Sequence, residues 1–356
     1  MASPLVSIII TNYNHERFVG YAIESALAQS YAWIEVVIVD DGSKDNSRAT
    51  ISKYESRIIA LYKEHGGQAS ALNAGFARST GDIIALLDAD DVLLEHTVAR
   101  VVSAFQENPG IGLVQMRVEV VDAAGRPSGV FVPACHIRMP NRDLRTRLAD
   151  FTNNSWWSPT SGLAIDSRVL RQVLPLPEDR YRISADHAVC RASALCAPVV
   201  SLEHIGAYYR SHNTNTSYSH APIDVEKVRT DMKIVVDSHE YLREFAKSVG
   251  VDGYPADPDR QLDTLTQRLV LLKLGSRRQR LPRDTLSYVT WRGLRAAMRR
   301  TDISVLIRLV HAFWFLAMAV SPRRVAGWLA RIALARDGRR LPDRVLARAS
   351  AKRVAT

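Results

Sequence analysis

The stretch "WIEVVIVDDGSKDNS" (residues 33–47) decides the fold class. Its apolar core, Ile34 and Val36 to Val39, is continuous and β-branched, and it stops at two carboxylates, a glycine and a cluster of Ser, Asp and Asn. A strand with one wet face would alternate polar and apolar residues, so an unbroken run bounded by turn residues reads as a strand buried on both faces. "SKDNS" offers several N-cap side chains, which predicts a helix over about 46–56.

The same unit repeats on either side. Upstream, "LVSIII" (5–10) is a second β-branched run, after which Val19, Ile23, Ala26 and Leu27 recur at helical spacing. Downstream come "IIALY" (58–62), a helical pattern over 68–79, and "DIIALLD" (82–88). Buried strands separated by helices imply an α/β doubly wound, mostly parallel sheet with helices on both faces. In such sheets ligands bind beyond the carboxyl ends of the strands. Those ends carry "TNYN", "DDGS", "EHGGQ" and "DADD", so four strands deliver polar groups to one rim.

Each cluster has a chemical and a structural reading. Asp88, Asp90 and Asp91 can put carboxylates on a hard divalent cation and a ribose hydroxyl, or they can form a solvated turn that caps a helix starting near Leu93. Asp40 and Asp41 can accept the imide N–H of a uracil or thymine ring, or cap a turn that Gly42 tightens. Tyr13, after Thr11 and before Asn14, can stack on a base or pack. Gly66 and Gly67 let backbone amides approach a ligand ahead of a helix whose N-terminus favours phosphate.

The chain has 356 residues, 47% of them hydrophobic, enough for one large domain and an appendage; disordered and disulfide-stapled classes are excluded. Cys135, Cys190 and Cys196 are widely spaced without a CxxC pair, which fits a reducing compartment. "MASPLVSIII" lacks the basic start of a signal peptide. From Arg268 onward 21 Lys/Arg face 4 Asp/Glu, a net of +17 against −7 for residues 1–267. The two parts therefore meet different partners.

"SIIITNYNHERFV", "VVIVDDGSKDNS", "GGQASALNAG" and "GDIIALLDADD", in this order, resemble the nucleotide-binding half of family 2 glycosyltransferases with the GT-A fold. The resemblance is strong over about 4–100 and looser to about 217. It implies that Thr11, Tyr13 and Asp41 hold the base, that Asn14, Gly67, Gln68, Asn73, Asp88 and Ala89 line the nucleotide sugar, and that Asp90, Asp91 and His212 hold a divalent Mn2+ or Mg2+. The family often has an arginine before its third-motif asparagine; this chain has Leu72, which leaves diphosphate neutralisation to the metal or another cation.

Beyond a strand expected at 111–121 and the turn "DAAGRP", "RISADHAVC" (182–190) resembles the family's acidic segment, with Asp186 at the place of the catalytic base and Ala185 where a glutamate is common. Inverting transfer needs one carboxylate to take the acceptor hydroxyl's proton while its oxygen attacks opposite the leaving nucleotide. The bland alternative for Asp186 is a helix N-cap. In "YYRSHNTNTS" (208–217), Arg210 can neutralise phosphate and His212 can serve as metal ligand or structural histidine. "NNSWWSPTSG" puts Trp156 and Trp157 forward as an acceptor platform or as core, with His187 beside the base. No Q-x-x-R-W motif follows, which favours a single-addition enzyme over a processive synthase.

After about residue 220 the pattern becomes helical. Leu262, Leu265, Leu269 and Leu272 share a face, and "LGSRRQRLPRD" (274–284) reads as a basic linker. Within 303–320 the polar residues Ser304, Arg308 and His311 form one stripe, and mid-span arginine is costly in hydrocarbon, so a half-buried helix is expected rather than a span. In 323–336, Val325, Trp328, Leu329 and Ile332 share a face ringed by Arg323, Arg324, Arg331 and Arg336. Such basic amphipathic helices suit an anionic membrane, and the large apolar residues favour it over nucleic acid; a helical domain packed on itself is the competing reading.

The sequence thus predicts a catalytic domain over 1–220, divided into 1–100 for the nucleotide sugar and 101–220 for the acceptor, and a basic helical region over 221–356. The expected activity moves one sugar from a UDP- or dTDP-linked donor to a glycan or lipid-linked hydroxyl in polysaccharide biosynthesis. The expected place is cytoplasmic, peripheral on the inner face of the plasma membrane. The alternatives are a sugar nucleotidyltransferase, whose glycine-rich basic signature "TNYNHERF" lacks, and a silent glycan-binding relative, which would not need Asp41, Asp88, Asp90 and Asp186.

Overall fold

The computed structural model describes residues 3–145, 156–212, 225–254, 261–276, 284–300 and 303–334. The first half runs β1 (Val6–Asn12), α1 (Val19–Leu27), β2 (Ile34–Asp41), α2 (Ser47–Ile51), β3 (Ile59–Lys63), α3 (Gln68–Arg78), β4 (Ile83–Asp88), β5 (Val92–Leu93), α4 (Thr97–Glu107), β6 (Leu113–Val121) and β7 (Pro127–Val132). Then come β8 (Leu163–Asp166), α5 (Ser167–Val173), α6 (Ala185–Cys196), β9 (Val199–Arg210), α7 (Val225–Ser248), α8 (Leu262–Leu274), α9 (Leu286–Arg299), α10 (Val305–Val320) and α11 (Arg323–Leu334).

Among the described residues one mixed sheet of nine strands results, ordered β3-β2-β1-β4-β8-β6-β9-β5 with β7 on β6. The four strands expected between residues 5 and 88 are all parallel, and alternate residues leave them in opposite directions. Ile8 and Ile10 pack with Val19, Ile23, Val98 and Val101 of α1 and α4, while Ile9 and Leu86 pack with Leu72, Ala188 and Val189 of α3 and α6. Burying each such side chain stabilises the fold by about 1.5–3 kcal/mol, which is why these runs carry no polar alternation. β8 enters antiparallel to β4 and to β6, and β6 lies parallel to β9.

The register collects the strand ends. Asn12 stands opposite Asp40, Thr11 opposite Asp88, and Asp41 opposite Lys63. Two local expectations change. The helix expected over 46–56 breaks after Ile51 into a single 3-10 turn, Ser52–Tyr54. No helix starts near Leu93: Val92 and Leu93 pair antiparallel with Tyr208 and Ala207, and α4 begins at Thr97. That two-residue pairing draws the end of β9 beside Asp90 and Asp91, a long-range contact that no local propensity encodes.

The expected boundary near 220 is not a break in the core. Leu242, Phe245 and Ala246 of α7, with Ile303 and Ile307, belong to the cluster that holds α6 and the sheet. Helices α8 to α11 add a core of their own around Leu265, Leu269, Phe315, Met318 and Ala326. The Phe315 ring lies directly on Gly293, where any Cβ would collide with it. Arg268 and Asp284, both almost fully buried, pair through Nε and Oδ2 at 2.9 Å and fix α8 to the approach of α9. Most of the basic linker, residues 277–283, lies outside the described residues, as do 146–155, 213–224 and Arg336 with the chain that follows it.

Candidate active site

Asp88 stands at the end of β4, where Thr11 Oγ1 donates to its Oδ1 at 3.2 Å. Burial pushes its carboxyl up to about 7, with the charges of Asp90 and Asp186 adding to the effect. Asp186 is thus within electrostatic reach of the D-x-D cluster. Gln68 makes the physical link: its Oε1 accepts the Ala185 N–H at 2.9 Å, and its Nε2 lies 3.3 Å from Thr160 Oγ1 and 3.5 Å from Asp88 Oδ1. Asp186 sits half-buried in the first turn of α6. It is not the N-cap; Ser184 is, in the left-handed conformation (φ 60°, ψ 37°), which for a non-glycine residue costs on the order of 1 kcal/mol.

Asp90 and Asp91 divide cleanly. His212 Nε2 meets Asp90 Oδ2 at 2.9 Å, and the ligand atoms of His15, Asp90 and His212 all lie within 4.8 Å of one another. Burial alone would raise Asp90, but the His212 hydrogen bond and the nearby His15 and His212 charges bring it below its ordinary value. Asp91 turns the other way: its Oδ1 accepts the Arg210 N–H at 2.9 Å and its Oδ2 the Ser161 hydroxyl at 2.5 Å. Burial and the charges of Asp90 and Asp88 hold Asp91 well above the carboxylate range. Two imidazoles and one carboxylate suit a divalent transition-metal ion, which accepts nitrogen ligands, better than Mg2+, which prefers oxygen alone.

The base-side residues form a tight lattice. Asp41 is 3% exposed, and its Oδ1 accepts from Lys63 Nζ at 2.7 Å and Gly66 N at 2.9 Å. Its Oδ2 accepts Gly67 N at 2.7 Å and faces His65 Nδ1 at 2.9 Å. Gly67 has φ 95°, and a Cβ there would lie 2.6 Å from Arg182 Cα, so only glycine lets the 181–182 segment close on the loop. A ring that uses Asp41 as acceptor must displace a donor, and the partly exposed Lys63 and His65 side chains are the movable ones. Tyr13 already stacks on His65, with ring centroids 4.0 Å apart. Asp40 serves the loop, accepting from Asn12 Nδ2 and Arg48 Nε, both at 2.8 Å.

Several of the expected site residues have local partners in the fold. The N-terminus of α3 is not open to phosphate, because Gln68 N and Ala69 N donate to the carbonyls of Arg182 and Tyr181. Asn73 lies farther along that helix and spends its amide on Leu176, accepting its N–H at 2.9 Å and donating to its carbonyl at 3.0 Å. Asn14, at φ 57°, braces the neighbouring loop by accepting Lys44 N at 2.7 Å. Ala89 is buried, its N–H donated to Thr11 O at 3.1 Å. The Arg210 guanidinium donates to Asp90 O at 3.0 Å and lies over Phe18, so it braces the turn and does not face a phosphate. Trp156 and Trp157 are 3% and 6% exposed members of the main core and offer no free face to a sugar. His187 is half-buried next to Asp186.

Sequence reasoning missed His15, although it stands in the same loop as Tyr13. It also missed Thr160 and Ser161, the hydroxyls that bind Gln68 and Asp91. The run "SPTSG", three hydroxyls around a buried glycine, was the available signal.

Residues 7–161 match the family described as Glycosyl transferase family 2. An uncharacterized glycosyltransferase from Nostoc sp. is 34% identical over 250 residues, covering 69% of this chain and 76% of that relative. One from Rickettsia prowazekii is 46% identical over 100 residues, covering 27% of this chain and 31% of the relative. Among solved structures, S. aureus TarS 1-349 in complex with UDP has a TM-score of 0.50 at 18% identity, covering 97% of this chain and 87% of that one. The mannosyltransferase PcManGT from Pyrobaculum calidifontis, in complex with GDP-Man and Mn2+, has a TM-score of 0.50 at 16% identity, covering 98% and 88%. These two share the GT-A fold with it. With the D-x-D acids on the end of β4 and a relative matched over three quarters of its length, the chain belongs to glycosyl transferase family 2.

Proposed function

We propose that the protein is an inverting, metal-dependent glycosyltransferase that moves one sugar from a UDP- or dTDP-linked donor to a hydroxyl of a glycan or lipid-linked acceptor. The observation that carries this reading is the convergence of Asp186 and Asp88 through Gln68. Two carboxylates from distant segments meet at one rim, as a reaction needs when a base must face a bound nucleotide sugar. Solved proteins of this fold holding UDP or GDP-Man support the donor class.

In this reading Thr11, Tyr13 and Asp41 bind the base, Asp88 takes the ribose or the diphosphate side, and Asp186 removes the acceptor proton as the oxygen attacks the anomeric carbon. His15, Asp90 and His212 would hold Mn2+, which supplies positive charge to the diphosphate leaving group. That supply matters here, since Leu72 is buried in the core and the α3 N-terminus is closed. His187 and the exposed segment before α6 are the nearest groups to an acceptor.

The test is a donor panel of UDP-, dTDP- and GDP-sugars with Mn2+ or Mg2+ and a membrane extract as acceptor, scored for nucleoside diphosphate release, with the anomeric configuration of product read by NMR. Release with one donor and an inverted product is expected. No turnover with any donor, or retention of configuration, overturns the proposal.

A further inference from the structure

Helix α10 is built inside out for a water-soluble protein. Leu306, Leu309, Val310, Phe313, Leu316 and Val320 are exposed, Phe313 at 71% and Val320 at 85%. At 3.6 residues per turn they fall within an arc of about 120°. The helix's polar side chains face elsewhere: Arg308 Nε donates to Ile303 O at 3.3 Å, and His311 Nδ1 meets Ile307 O at 2.8 Å, both half-buried beside the protein core. Water alone would select the reverse arrangement, because each exposed leucine or phenylalanine forfeits its burial.

What borders this face is basic. Trp314 Nε1 donates to Leu329 O at 3.0 Å and binds α11 alongside α10. On α11 the alanines face the protein: Ala326 and Ala330 are buried, whereas Trp328 is 58% exposed between the exposed Arg324 and Arg331. Between Asp284 and Leu334 the chain carries eight arginines against two aspartates. An apolar arc rimmed by arginine and tryptophan is complementary to a surface that is apolar beneath and anionic at its rim. Spanning is excluded for α10 itself: 16 residues reach about 24 Å, short of a hydrocarbon core of about 30 Å, and no helix among the described residues is long and apolar enough to cross a membrane.

We propose that the outward face of α10 and α11 lies in the headgroup layer of a membrane bearing anionic lipid, with Phe313 and Leu316 as apolar anchors and Arg324 and Arg331 on the headgroup phosphates. The proposal is independent of the catalytic reading. It places the sheet at the surface where a lipid-linked acceptor would be met.

The test uses the full chain in co-sedimentation with phosphatidylcholine vesicles, with and without phosphatidylglycerol, alongside light scattering of the protein alone. The wild type is expected to sediment with the anionic vesicles and at least about tenfold less with the neutral ones. Phe313→Ser/Leu316→Ser should lose at least about tenfold of that binding with an unchanged melting temperature, because both side chains are exposed. Arg324→Gln/Arg331→Gln should keep the neutral-vesicle level and lose the anionic gain. Unchanged sedimentation of the serine variant overturns the proposal. So does a wild-type dimer that the same variant makes monomeric, since the face would then bind a second copy of the chain.

Discussion

The side-chain oxygen of Gln68 accepts the backbone N–H of Ala185 at 2.9 Å, so one neutral amide in α3 sets where the helix carrying Asp186 begins. Its Nε2 lies toward Thr160 and Asp88. Gln68→Leu keeps the volume and removes the link. Because misplacement by about 1 Å can cost on the order of 100-fold, kcat should fall by roughly 10- to 100-fold while donor KM changes little. Steady-state kinetics decide this; an unchanged kcat with a raised KM would make Gln68 a donor contact only.

Asp186→Asn tests the base directly. General-base catalysis contributes about 100- to 10,000-fold, and the substitution should remove that much turnover at an unchanged nucleotide affinity, read by calorimetry with UDP. Lost affinity would move Asp186 out of the base role.

Asp88 should cost stability in the ligand-free protein. Its folded pKa, about 7, lies above the ordinary carboxylate value because burial and then Asp90 and Asp186 oppose ionisation. The native state therefore binds more protons than the unfolded chain between about pH 4 and 7, and stability falls as pH rises through that window. At pH 8 Asp88→Asn should raise the melting temperature by a few degrees, for a gain on the order of 1 kcal/mol, and abolish transfer. A melting temperature lowered at pH 8 contradicts the repulsion account.

The nucleotide half was legible because its information is local. An unbroken run such as Ile8 to Ile10, bounded by turn residues, reads as a strand, and the polar groups that end each strand arrive at one rim by register alone. The two-residue strand at Val92 was not legible, since its partner is Tyr208. His15 was not legible as a site residue either, because its neighbour His212 arrives only with that pairing. Trp156 and Trp157 stayed open between acceptor platform and core for a related reason: an indole in a loop-like sequence carries no sign of which side of the chain is filled. For α11 the hydrophobic face was found, but the interface chose the alanines, whose small side chains let the helices approach.

His239 should impose acid sensitivity. It is 3% exposed between α6 and α8, near Arg191, His187, Tyr254 and Gln261, and burial first, then the Arg191 and His187 charges, lower its pKa to about 3. Its unfolded value is higher, so the unfolded chain binds the extra proton; stability is complete above about pH 6.5 and falls by about 1.4 kcal/mol per unit as pH drops toward 3. His239→Asn should flatten the melting-temperature profile between pH 6.5 and 5 by close to that slope. Parallel profiles for the two proteins would remove His239 as the cause.

Asp90 and Asp91 should behave as different kinds of residue. Asp90→Asn deletes the charge between His15 and His212, and Mn2+ affinity should fall by at least about tenfold, read by electron paramagnetic resonance; His15→Ala should do the same if its ring completes the set. Asp91→Asn keeps an oxygen for the Arg210 N–H and can donate to the Ser161 oxygen, so the fold, the metal affinity and the turnover should persist. Asp91→Ala leaves that buried N–H unsatisfied and should cost about 1–3 kcal/mol, measured by urea unfolding. The contrast lies in the direction each side chain takes from adjacent positions: one carboxylate faces two imidazoles, and the other holds the end of β9 that carries His212 to the site. If Asp91→Asn lost Mn2+ as completely as Asp90→Asn, the acids would share the ion and the bracing role of Asp91 would fall.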